Sequence, residues 1–191
     1  MRVIGGTAKG RRLECAEGRV TRPTPDRVRG SMFNILGQAF DGERVLDLFS
    51  GTGALTIEAL SRGAVFSFMV EMSPEPIKAI RKNLKLTGFE DRVRLYEMDV
   101  ESALEIVARD AGGVAFDLIF AGPPYAYRRE EWLMARIVSL GLLKTDGVAV
   151  FQHATRREMP DAEGGLYRSD YRRFGETSLS FYTVNPVARR S

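Results

Sequence analysis

The chain has 191 residues, 44% of them hydrophobic and 28% charged, with a net charge of +3 and a sequence pI near 9.2. That is length enough for one domain with its own core, in the composition of an ordinary globular protein. No apolar stretch approaches the roughly 20 residues that span a bilayer. The single Cys15 excludes an internal disulfide framework, and with the single His153 it leaves no structural zinc set. The opening residues MRVIGGTAKGRR carry no apolar signal core, and a cytoplasmic protein is expected.

Residues 2–6 and 11–15 read as two short strands joined by Gly6-Thr7-Ala8-Lys9-Gly10, a basic hairpin. Residues 1–20 are taken as a basic extension and residues 21–191 as the main domain. Thr24 resembles an N-cap, with Pro25 at the first helical position and Asp26 in the first turn. The helix is expected to run to about Gln38, with Gly30 inside it at a cost of about 1 kcal/mol relative to alanine.

From Val45 the chain alternates strands at 45–49, 66–70, 93–96, 116–120 and 147–151 with helices at roughly 53–62, 74–87, 100–109 and 130–140. This alternation predicts a parallel sheet covered on both faces. Leu166–Tyr171 and Thr177–Val184 read as closing antiparallel strands around Phe174-Gly175. Basic residues concentrate at the two ends: Arg2, Lys9, Arg11, Arg12, Arg19, Arg22, Arg27 and Arg29, then Arg156, Arg157, Arg168, Arg172 and Arg173. Such clusters suit a phosphate backbone or a solvated basic surface equally well.

Residues 45–60, VLDLFSGTGALTIEAL, carry the most information. An apolar strand enters the turn Gly51-Thr52-Gly53, and a helix begins at once, with Leu55, Ala59 and Leu60 on one face and Glu58 outside it. Glycine lets backbone approach a ligand, and a helix start offers unpaired N–H groups. A dinucleotide site calls for G-x-G-x-x-G, but the third glycine position holds Thr56. Asp47 stands four residues before Gly51 instead, an acid suited to the ammonium group of S-adenosylmethionine. Glu71, ending the second strand, can accept from ribose hydroxyls, and Asp99, after the third, is placed for an adenine amino group.

After the fourth strand comes Ala121-Gly122-Pro123-Pro124-Tyr125. A rigid turn at the carboxyl end of a strand aims backbone carbonyls and an aromatic ring at a substrate. This suits methylation of an exocyclic base nitrogen, whose hydrogens must be held and whose delocalised lone pair must be aligned. An aromatic ring can stack on a displaced base. The Pro123 carbonyl and Tyr125 are the candidates for these two tasks. His153 reads as a surface or substrate-edge residue.

Several runs together resemble one family: R-V-I-G-G with K-G-R-R-L, T-R-P-T-P-D-R-V-R, M-F-N-I-L, V-L-D-L-F-S-G-T-G-A-L with E-A-L-S-R-G-A, and R-R-F-G-E-T-S-L-S-F-Y. They are similar, in order and over nearly the whole chain, to the RsmD family of bacterial small-subunit ribosomal RNA guanine-N2 methyltransferases. The resemblance implies a Rossmann-like class I fold with a seven-stranded, mostly parallel sheet and an antiparallel C-terminal strand. It implies methyl transfer from S-adenosylmethionine, without metal, to ribosomal RNA in an assembling small subunit, by a monomer. It assigns Thr24, Asp47, Ser50, Gly51, Thr52, Gly53, Glu71 and Asp99 to the cofactor. It assigns the turn Gly122, Pro123, Pro124 and Tyr125 to catalysis, and Arg11, Arg12, Arg22, Phe33 and Asn34 to the substrate.

The chain departs from this family twice. Relatives carry an acid or amide, typically Asp, where this chain has Gly122, and Glu where it has Gly30. The first departure removes an acceptor for the target amine and leaves open a cofactor- and RNA-binding member with weakened catalysis. A DNA adenine-N6 methyltransferase also uses a proline turn but needs a target-recognition domain that this length does not provide.

Overall fold

A computed structural model describes residues 1–15 and 24–186. Chain contacts divide it into two units, Met1–Val100 and Glu101–Ser191.

In the first unit the apolar periodicity of the sequence becomes α1 (Asp26–Leu36), β1 (Arg44–Leu48), α2 (Ala54–Ser61), β2 (Phe66–Val70), α3 (Pro74–Thr87) and β3 (Val93–Tyr96). β2 lies between β1 and β3 and is parallel to both, with Asp47 opposite Met69 and Val70 opposite Tyr96. Both β1 and β2 are buried along four consecutive residues, the pattern of strands covered on two faces. Pro74 opens α3, and Gly88 closes it in the left-handed region, donating to the Leu84 carbonyl at 2.8 Å. α1 begins one residue later than expected: Pro25, not Thr24, occupies the N-cap, and its carbonyl accepts from Arg29 N.

The N-terminal residues pair antiparallel as a short hairpin, with Val3 N donating to the Arg11 carbonyl, Gly10 N to the Val3 carbonyl and Leu13 N to the Met1 carbonyl, each at 2.9 Å. A single bridge joins Arg2 and Arg12, and the segment is strapped down onto α2. Glu58 receives the N–H groups of Ile4 and Gly5, both at 2.8 Å, while the Ser61 carbonyl and hydroxyl receive those of Thr7 and Ala8. This reverses the expectation for Glu58, which is buried rather than outside the apolar face. Its charge is met by Arg62 at 2.8 Å and Arg29 at 3.5 Å, both buried. Glycine is required for the close approach: at Gly6, with φ +73°, a Cβ would fall 1.8 Å from the Ser61 carbonyl oxygen.

The second unit contains α4 (Val100–Asp110), β4 (Phe116–Ala121), α5 (Glu130–Ser139), β5 (Leu143–Ala154), β6 (Ala162–Glu163), β7 (Leu166–Phe174) and β8 (Thr177–Thr183). Its strands follow the order β4-β5-β8-β7-β6. β4 and β5 are parallel, and the rest is antiparallel. The two-residue β6 brings the described strands to eight, one beyond the expected seven. It covers β7 only at Leu166 and Tyr167, so the rest of that strand is an outer edge among the described residues. No helix among the described residues is long and apolar enough to cross a membrane.

Candidate active site

The expected cofactor residues lie in the first unit, where β1 and β2 end. β1 runs out at Leu48, and Phe49 takes φ +63°, the only positive φ outside glycine among the described residues. A bulky side chain in that region signals a backbone held against its preference by its surroundings. The chain then turns through Gly51, with φ +57°, and Gly53, with φ +77°, into α2. A Cβ on Gly51 would meet no atom within 4 Å, whereas one on Gly53 would press on Met69 Cε at 3.0 Å. Gly51 therefore serves conformation and leaves open approach, while Gly53 serves conformation and packing as well.

Asp47 is buried, and burial pushes its carboxyl up to about 7, against the opposing effect of a hydrogen bond from Thr56 Oγ1 at 2.8 Å. That residue was missed as a site residue. Thr56 fills the third glycine position of the dinucleotide pattern, and its hydroxyl orients the acid that replaces the missing glycine as the site's signature. Ser50 Oγ donates to the Asp47 carbonyl at 2.7 Å, and Ser50 N donates to the Val70 carbonyl at 3.0 Å. Thr52 is buried, and its carbonyl accepts from Asn83 Nδ2 at 3.0 Å. Asn83 is likewise a residue that the sequence reading passed over.

Glu71 caps three backbone N–H groups with its carboxylate: Gly51 at 2.9 Å, Met72 at 3.0 Å and Ser73 at 2.8 Å. A carboxylate has about four acceptor positions. A ribose would share Glu71 with the backbone that shapes the turn. Asp99 is exposed and stands directly before Val100, the first residue of α4. Thr24 is half-buried just before α1. A buried acid, an open glycine backbone and a carboxylate at a neighbouring strand end can together receive a ligand with a cationic amino-acid end and a ribose. The residues fit S-adenosylmethionine in that sense.

The proline turn lies in the second unit, at the carboxyl end of β4. Pro123 is half-buried, Pro124 is exposed, and Tyr125 is 54% exposed, its ring free to meet another planar group. Tyr127 N donates to the Pro124 carbonyl at 2.9 Å, closing the turn. The Arg128 guanidinium donates to the carbonyls of Tyr125 and Tyr127. Around a Cβ on Gly122 nothing lies within 4 Å, and the residue has no left-handed φ.

The substrate residues assigned from the family resemblance fare differently. Arg11 and Arg12 are exposed, and Arg11 donates to the Leu86 carbonyl at 2.8 Å. Asn34 is exposed and accepts from Gln38. Phe33 is 0% exposed and packs between Phe40 and Arg62, so its ring belongs to the core and presents no surface to a substrate. Arg22 lies outside the described residues. His153 is also not the surface residue expected. It is buried, with Nε2 2.9 Å from Ser180 Oγ and Nδ1 3.0 Å from the Ala154 carbonyl, and burial lowers its pKa.

The family model described as "Conserved hypothetical protein 95" matches residues 1–183. The chain is 38% identical over 182 residues to the Bacillus subtilis protein named "Putative rRNA methyltransferase YlbH", covering 95% of this chain and 98% of that one. It is 34% identical over 125 residues to "Ribosomal RNA small subunit methyltransferase D" of Escherichia coli K12, covering 65% of this chain and 60% of that one. Among solved structures, "Putative methyltransferase yhhF" from Escherichia coli superimposes with a TM-score of 0.80 at 27% identity, over 95% of this chain and 96% of that one. With a match spanning nearly its whole length, the chain belongs to the family described as "Conserved hypothetical protein 95", the RsmD-type methyltransferases.

Proposed function

We propose that this chain transfers a methyl group from S-adenosylmethionine to the exocyclic N2 amine of a guanine in small-subunit ribosomal RNA, acting as a monomer on an assembling subunit. The observation that carries the reading is the joined cluster of Asp47, Gly51 and Glu71, in which the turn's own N–H is bonded to the second acid. It stands within a chain of RsmD type whose relatives are named as ribosomal RNA methyltransferases.

S-adenosylmethionine, when bound, supplies a methyl group activated by a sulfonium. Asp47 would face its ammonium group, Glu71 its ribose and Asp99 its adenine. The Pro123 carbonyl would accept a hydrogen of the target amine, and the Tyr125 ring would stack on the guanine. Transfer of the methyl group from sulfur to nitrogen would leave an extra proton on the methylated nitrogen. Gly122 offers no carboxylate for it. That proton is acidic enough to pass to water.

Gly122 also favours a second reading, a member that binds cofactor and RNA but turns over slowly. A hydrogen bond to a charged acceptor contributes about 1.5–3 kcal/mol, or roughly 10–150-fold if it is expressed fully in the transition state. One experiment addresses both readings: transfer of labelled methyl to naked ribosomal RNA and to small subunits, by the parent and by Gly122→Asp, with mass spectrometry of the nucleosides. Label in N2-methylguanosine is expected, with the variant faster. Label in any other nucleoside would sink the guanine-N2 assignment. Equal rates would sink the account of Gly122.

A further inference from the structure

The second unit's strand register brings Arg156, Arg157, Arg172 and Arg173 of the C-terminal cluster to the same end of the sheet as the proline turn. Ala121, the last residue of β4, lies beside Phe151 of β5, Phe151 beside Ser180 of β8, and Ser180 beside Tyr171 of β7. The row crosses three strand spacings, about 14 Å. Beyond it, on one rim, come Gly122–Tyr125 after β4, Gln152–Ala154 and the turn to Arg157 after β5, and Arg172–Phe174 at the end of β7. Arg157 pairs with the buried Glu130, which opens α5 directly after the proline loop, so the rim and the loop are braced together.

Which of these arginines are available is decided by their partners. Arg168 sits at the far end of β7, held by Asp161 and the Met159 carbonyl, and Arg172 pairs with Asp170 at 3.0 Å. Arg156 and Arg173 are exposed, and neither pairs with a carboxylate among the described residues, although Arg173 Nε donates to the Gly175 carbonyl at 3.4 Å. Arg173 stands opposite Ser178, which stands opposite His153, so it shares a face with Tyr171 two residues earlier. Tyr171 is 41% exposed; its hydroxyl is fixed 2.8 Å from Ser178 Oγ, and its ring lies 5.6 Å from the Arg168 guanidinium and 6.4 Å from the His153 ring, which hold it in place and leave the remainder open. Two exposed cations on the rim that carries an anchored, partly accessible aromatic ring make a combination that holds single-stranded nucleic acid: charge for the backbone and a platform for a base.

We infer that Arg156, Tyr171 and Arg173 form an RNA-contacting rim that binds the single-stranded segment flanking the nucleotide presented at Gly122–Tyr125. The inference rests on the RNA reading above but assigns a surface which that reading does not require.

The test is fluorescence-anisotropy titration of a labelled mixed-sequence single-stranded RNA across a salt series, for the parent, Arg156→Ala/Arg173→Ala, Arg156→Lys/Arg173→Lys and Tyr171→Ala. Calorimetric binding of S-adenosylhomocysteine to each controls for folding. The alanine pair is expected to flatten the plot of log affinity against log salt by about 1.4, since each lost contact to a single strand removes about 0.7. The lysine pair is expected to restore the parent slope. Tyr171→Ala is expected to weaken binding roughly 5–150-fold without changing the slope. S-adenosylhomocysteine binding should stay at the parent value throughout.

An unchanged slope in the alanine pair, or its loss in the lysine pair as well, overturns the rim. So does a Tyr171→Ala variant that binds as the parent does. If the parent binds this RNA through the rim yet methylates no ribosomal RNA, the proposed function fails and the rim stands. If the parent methylates ribosomal RNA and the variants bind it unchanged, the rim fails alone.

Discussion

Asn83, fully buried on α3, donates from Nδ2 to the Thr52 carbonyl at 3.0 Å, tying the glycine turn to a helix thirty-one residues away in sequence. The same amide donates to the Glu14 carbonyl at 3.1 Å, and its oxygen accepts from Glu14 N at 2.7 Å. One side chain thus fixes both the turn and the N-terminal strap. Asn83→Ala leaves the buried Thr52 carbonyl without its donor and is expected to destabilise the fold by about 1–3 kcal/mol. Urea unfolding with an unchanged m-value and a lowered midpoint is the expected result.

On the proposed reading, Asp47 is expected to make cofactor binding sensitive to pH. Its folded-state value of about 7 lies above the ordinary carboxylate value because burial penalises the charged form. The ionised acid therefore weighs against the fold, and that burden is relieved as pH falls through 7 toward 4. A cationic ligand favours the ionised form, so affinity for S-adenosylhomocysteine should climb as pH rises from about 6 to 8, by at most tenfold per unit. Asp47→Asn should flatten the profile. Thr56→Val removes a hydrogen bond that lowers the pKa, so it should move the rise to higher pH. Calorimetric affinities that stay constant over this range would show that Asp47 does not meet the ligand's charge.

His153, the only histidine, acts on stability in the opposite sense. Its pKa is lowered by burial, so the folded state resists the protonation that an unfolded chain accepts. Stability is therefore lost as pH falls below about 6.5, the ordinary histidine value. Thermal midpoints for the parent and His153→Gln should diverge below that pH, with the variant less acid-sensitive.

Glu58 neutralises Arg62 and Arg29 while receiving two backbone N–H groups of the strap. Glu58→Ala would leave two buried guanidinium groups without their shared anion. A loss of about 3–5 kcal/mol is expected, because an unpaired buried charge costs far more than a buried pair contributes. Limited proteolysis should cut first within residues 1–15, which lose their anchor.

Gly30 offers a gain. A Cβ there meets only Ile4 Cδ1 at 3.9 Å, an ordinary contact, and φ lies outside the left-handed region. Gly30→Ala should raise stability by up to about 1 kcal/mol, read as a higher melting temperature.

These residues also show what the sequence could and could not convey. α3, β2 and β3 fall where expected because Pro74 and Gly88 punctuate the helix and apolar runs mark the strands. β5 starts four residues before the expected 147, since Lys144-Thr145-Asp146-Gly147 reads as a loop, and the register with β4 shifts between Phe116 and Leu118 to admit it. That Asp47, Gly51 and Glu71 come together at the strand ends follows from residue type at fixed spacing along β1 and β2. The Thr56 bond to Asp47 spans nine residues and exists only once α2 packs beside β1. Glu58 was misjudged for a similar reason: besides Arg62 and Arg29, its partners are the backbone N–H groups of Ile4 and Gly5, which leave no side-chain pattern to read.

The open side of β7 carries one more consequence. From Ser169 onward the side of β7 away from β8 has no strand beside it among the described residues, a template on which a second chain could pair. Arg172 and Arg173 stand on that stretch and keep it charged. Neutralising them removes a guard against self-association, so light scattering of such variants at rising protein concentration should reveal oligomers that the parent does not form.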